Sequence, residues 1–144
     1  MRRAAIILAT TFTAALRFSS LSLAASDEEV LGHFADKMSG AFRCSAYAGI
    51  SHDSKEQKRL FQIGLKAARD FVEGIKSVND PNMGELKRWL EETSTDFVVG
   101  TMWQDQSTKV DDEIRRNQGG RWDSDAAKPE AERSYRNGNC SLIQ

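Results

Sequence analysis

The sequence predicts an all-α fold: a compact bundle of about five helices with one disulfide, following an N-terminal signal peptide. Three observations point there. Apolar residues recur at three- and four-residue steps in stretch after stretch, which places them along one side of a helix. Nowhere do apolar and polar residues alternate over five or more positions, as they would in a half-buried strand. The chain has only two cysteines, Cys44 and Cys140, and a bond between them would close nearly the whole mature domain into a loop.

Residues 1–25 read as a signal peptide. Arg2 and Arg3 give a basic start, Ala4 to Leu16 carry no charge, and Ser22-Leu23-Ala24-Ala25 offers small residues for cleavage. The uncharged run is too short for a membrane anchor. Residues 26–144 then form a single helical domain. Loss of Arg2, Arg3 and Arg17 leaves 17 basic residues against 21 acidic ones, a net charge of −4. That balance argues against nucleic acid or an anionic membrane as partner, and no second long apolar run predicts stable membrane insertion. In an exported chain two cysteines read as one disulfide, Cys44–Cys140, because the compartment is oxidising.

The first helix starts at Ser26-Asp27-Glu28-Glu29, which has capping-box spacing and puts acids on the first turn. Val30, Phe34, Met38, Ala41 and Phe42 mark its apolar side, with Leu31 and Ala35 beside them, and it runs to about Ala48. Gly49 and Ser51-His52-Asp53 end it. The central helix covers 54–78, with Ser54 and Gln57 as capping box and a stripe of Leu60, Gly64, Ala67, Ala68, Phe71 and Ile75. So short a connection makes these two helices antiparallel neighbours.

Asn79-Asp80-Pro81-Asn82 is a break in which Asp80 caps and Pro81 takes the first helical position. Leu86, Trp89 and Leu90 give a short third helix, and Thr93-Ser94-Thr95 interrupts it. A fourth helix begins near Asp96 and carries Phe97, Val99, Met102, Trp103, Val110 and Ile114. Trp89 and Trp103 are expected in the core. Gly64 and Gly100 are expected at close helix crossings. A last helix spans Asp125 to Asn137 with Pro129 near its start, and Asn139 to Ile143 forms an extended tail.

Few residues point to chemistry. His33 and His52 stand alone, neither at a metal-ligand spacing, and no nucleophile is marked near the His52-Asp53 pair. Glu91 and Asp96 could share a cleft, as carboxylates do by chance in acidic helical chains. No glycine-rich phosphate loop or EF-hand is present. The reading is therefore no enzyme, with no catalytic residue, cofactor or metal. The surface candidate is Arg121-Trp122, set in the glycine loop Asn117 to Asp123, because Trp and Arg are enriched where proteins meet. Trp122 either presents itself there or folds back as a lid on the core.

Phe42-Arg43-Cys44-Ser45-Ala46-Tyr47, Arg59-Leu60-Phe61-Gln62-Ile63-Gly64, Asp96-Phe97-Val98-Val99-Gly100 and Tyr135-Arg136-Asn137-Gly138-Asn139-Cys140 together resemble small exported proteins of Gram-negative bacteria. That group has no assigned activity, so the resemblance implies export and a helical domain only. Ser94-Thr95 stands where the group tends to have Gly-Pro. In architecture the chain is similar to acid-stress chaperones and to helical immunity proteins. The functional expectation is a periplasmic protein-binding module of inhibitor, immunity or accessory type, its partner another envelope protein and its oligomeric state open. The alternative is a periplasmic acid-stress chaperone.

Overall fold

The computed structural model describes residues 27–78 and 80–144. The signal-peptide expectation for 1–25, Ser26 of the first capping box and Asn79 lie outside them. Among the described residues five α-helices follow in order: α1 (Asp27–Ile50), α2 (Ser54–Ser77), α3 (Gly84–Glu92), α4 (Thr95–Asn117) and α5 (Ser124–Asn137). Short 3-10 turns occupy Pro81–Met83 and Cys140–Leu142. There is no strand among the described residues, and no helix there is long and apolar enough to cross a membrane.

α1 and α2 form an antiparallel hairpin. Leu31 packs where Gly74 passes, Phe42 lies on Gly64, and Ser45 donates to the carbonyl of Gln57 at 2.9 Å. Ser45 is fully buried, and that bond satisfies it. The three-residue link is a Schellman turn: Asp53 N–H donates to Ala48 O and His52 N–H to Gly49 O, with His52 left-handed at φ 64°. The cap of α2 falls one residue before the expected Ser54. Asp53 accepts from the Glu56 N–H at 3.0 Å, because the left-handed turn ends on Asp53 and aims its carboxylate at the first helical turn.

α4 lies along the hairpin. Trp103 meets Phe42 and Phe61 edge to face, with ring centroids 5.5 and 5.2 Å apart, which joins α1, α2 and α4. Farther along, Val110 and Ile114 pack with Leu60, Tyr47, Ala127 and Ala131, so α5 closes this end of the bundle. At the other end Leu90 of α3 and Val98 of α4 cover Val72 and Ile75. The Cys44–Cys140 disulfide forms, with Cα atoms 5.5 Å apart, and ties α1 to the final 3-10 turn.

Several faces differ from expectation. Phe97 is 62% exposed, and its neighbour Val98 is buried instead. A two-residue step turns about 200° round a helix, so Phe97 and Val99 cannot both face α2. Trp89 and Leu86 are also exposed, leaving Leu90 as the core contact of α3. Val30 is exposed, and Leu31 makes the packing contact in its place. Gly64 does mark a close crossing, whereas Gly100 is exposed with nothing near the position of a Cβ. The tail is not extended: Asn139 takes φ 51° and turns the chain back so that Cys140 reaches Cys44.

Candidate functional site

The Arg121-Trp122 turn joins α4 to α5. Gly119 and Gly120, at φ 74° and 90°, let the chain leave α4 in a Schellman turn, Gly120 N–H donating to Arg115 O and Gly119 N–H to Arg116 O. The Gln118 side chain then brackets Asp123. Its oxygen accepts from the Asp123 N–H at 2.9 Å, and its amide donates to the Asp123 carbonyl at 3.2 Å. Asp123 in turn caps α5 by accepting from Asp125 N–H and Ala126 N–H. The turn is fixed on both sides of Arg121 and Trp122.

Between these fixed points both side chains face outward. Trp122 is 45% exposed, so it is no lid on the core. Arg121 is exposed and has no ion pair or side-chain hydrogen bond among the described residues. They border an open hollow of about 740 Å³ whose far wall is Glu130 and Arg133 of α5. Asn117 donates to Glu130 at 2.8 Å, and Arg133 also bonds Glu130, so that wall is held as well. Arg115 and Arg116, exposed on the last turn of α4, add positive charge beside the turn. The arrangement offers a flat aromatic surface and an exposed guanidinium on a hydrogen-bonded turn.

The other candidates are not brought together. Asp53 caps α2 and makes no bond to His52. Asp96 accepts from Arg69 across the helix interface at 2.8 Å, and Glu91 is exposed on α3. Among the described residues no three His, Cys, Asp or Glu side chains are grouped to hold a metal ion.

Two polar networks were not visible as units in the sequence. In one, Arg43 and the Tyr47 hydroxyl both donate to Glu113 at 2.9 Å, joining α1 to α4. Burial pushes the Tyr47 phenol up, so it remains a donor. In the other, Arg59 forks onto Glu56 and also donates to the Ile143 carbonyl at 2.6 Å, while the Tyr135 hydroxyl donates to Glu56. The Arg59 hydrogen bonds hold the Glu56 carboxyl down at about 2, with Tyr135 assisting. Burial, then the bond to Glu56, pushes the Tyr135 phenol up to about 12. The local spacing of Glu56 and Arg59 was the one signal available; Tyr135 lies 79 residues away.

No protein-family model, curated protein or solved structure matches the chain. Its own geometry defines it as an all-α, disulfide-bonded bundle that presents an arginine–tryptophan turn.

Proposed function

We propose that the protein is exported to the periplasm and works as a protein-binding module, with Arg121 and Trp122 as its contact surface. It acts by binding and not by catalysis. The observation that supports this most is the half-exposed Trp122 on a turn locked by Gln118 and Asp123. A partner that covers Trp122 gains apolar burial without the cost of ordering the loop. Arg115, Arg116 and Arg121 beside it favour an acidic face on that partner, another envelope protein. Export rests on the leader-like residues 1–25 and agrees with the disulfide.

The alternative reading, a periplasmic acid-stress chaperone, would draw on the Glu56 bonds that tie α5 and the tail to α2, since their contribution to stability is lost as pH falls from 4.5 towards about 2.

The test is capture of partners from envelope extract by the oxidised protein and by its Trp122→Ala and Trp89→Ala variants. One stoichiometric partner lost with Trp122→Ala and retained with Trp89→Ala is the expected result. Equal loss in both variants, or many weak partners that strengthen in acid, would sink the proposal.

A further inference from the structure

A second hollow, of about 460 Å³, lies on another side of α5 and shares no residue with the Arg121-Trp122 hollow. Its volume is in the range of small-molecule sites. Of its lining residues Ala48 is buried, and Ser51, Glu132 and Tyr135 are half-buried. One wall is the α1–α2 turn, ending in Lys55. The other is Lys128, Glu132, Tyr135 and Arg136, which recur at three- and four-residue steps and so share one side of α5. The walls are tied to each other, since Tyr135 bonds Glu56 of α2 and the disulfide anchors the chain just beyond α5.

Three cations line this hollow. Lys55, Lys128 and Arg136 come from two helices, and among the described residues none of them is in an ion pair, although the charge of Lys55 adds to what keeps Glu56 ionised. Four-residue spacing closes Lys66 on Asp70 and Lys109 on Asp105, each at 2.6 Å. Lys128 and Arg136 stand four residues to either side of Glu132, and neither closes on it. The lining has two carboxylates, and Asp53 is occupied as the cap of α2. Three cations against two acids leave one positive charge in excess, in a chain whose formal charge is −1.

We infer that this hollow binds a small organic anion. Its carboxylate or phosphate is held by Lys55, Lys128 and Arg136, and its apolar or ring-shaped body rests on Tyr135. Arg136 supplies a fork that matches either oxyanion, and the lysines supply point charges. Glu132 disfavours a polyanion, so the ligand is compact and carries one or two charges.

The test is a nitrogen-15 NMR titration of the disulfide-bonded protein with phenyl phosphate and with benzoate, using benzyl alcohol as the neutral control. Saturable shifts confined to residues 48–55 and 128–136 are expected from at least one anion and not from the alcohol. The Lys128→Ala/Arg136→Ala variant should raise Kd at least tenfold, and Lys128→Arg/Arg136→Lys should restore it. All four changes are at exposed side chains, and circular dichroism checks that the variants stay folded. Saturation by phenyl phosphate alone assigns a phosphate ligand, and by benzoate alone a carboxylate. Shifts that match those of benzyl alcohol, or that survive in the alanine variant, overturn the inference.

Discussion

The ring of Phe42 rests directly on the backbone of Gly64, so closely that a Cβ on Gly64 would lie 2.3 Å from its Cδ1, well inside van der Waals contact. This contact sets the distance between α1 and α2, and Trp103 then packs on both Phe42 and Phe61. A methyl group at Gly64 must push the helices apart, and overpacking of this kind costs about 1–3 kcal/mol. Gly100 is also helical but has open space around it, so alanine there should stabilise by about 1 kcal/mol. Urea unfolding of Gly64→Ala and Gly100→Ala should therefore shift in opposite directions. Equal shifts would mean that the crossing is looser than described.

The bond from Tyr135 to Glu56 makes stability depend on pH with a definite sign. Glu56 is held at about 2, below its ordinary 4.5, by the Arg59 hydrogen bonds first and by the Tyr135 hydroxyl in support. A depressed carboxylate contributes its full stability above the ordinary value and loses it as pH falls through the depressed one. Tyr135→Phe should therefore cost about 2 kcal/mol at pH 7, the usual size for a hydrogen bond to a charged group, and progressively less between pH 4.5 and 2. Unfolding midpoints of both proteins across that range would show it. A constant difference would assign the cost to packing alone.

His52 occupies the left-handed position that glycine normally takes when a helix ends in a Schellman turn, and Gly119 fills the equivalent place after α4. A side chain in that conformation costs roughly 1 kcal/mol. His52→Gly should accordingly raise stability by about that amount, less the entropy glycine adds to the unfolded chain. Thermal unfolding gives the answer, and a lower Tm in the variant would contradict it.

The Cys44–Cys140 bond spans 96 residues, nearly the whole described domain. Loop entropy for that length predicts that Cys44→Ser/Cys140→Ser loses about 4–5 kcal/mol. Arg59 would still hold the Ile143 carbonyl, so the variant should remain helical by circular dichroism at low temperature while its urea midpoint falls. A midpoint unchanged from the oxidised protein would show that the bond is not the main staple.

Much of this fold is legible in the sequence because its signals are local. The helix breaks at Asp80-Pro81 and Gly119-Gly120, the stripe of α2 and the cysteine pair all follow from short spacings. Faces set by a neighbour are not legible. α3 has Leu86, Trp89 and Leu90 spread round nine residues, and only the position of α2 selects Leu90. The cap of α2 shifts to Asp53 because His52 turns left-handed, which no composition rule marks. The location of the candidate surface was legible from its glycines. Its rigidity was not, since that comes from one glutamine side chain bonding both backbone groups of Asp123. The Glu56–Arg59–Tyr135 network joins groups far apart in the chain, and the lining of the second hollow does the same.

The most direct test of the proposed binding role is site-specific photocrosslinking in intact cells that express the full chain. A photoreactive residue replaces Trp122 in one sample and Trp89 in another, since both positions are equally exposed. A single partner crosslinked from position 122, and none from position 89, is the predicted result. The same products from both positions, or none from 122, would contradict the assignment of the Arg121-Trp122 turn as the binding surface.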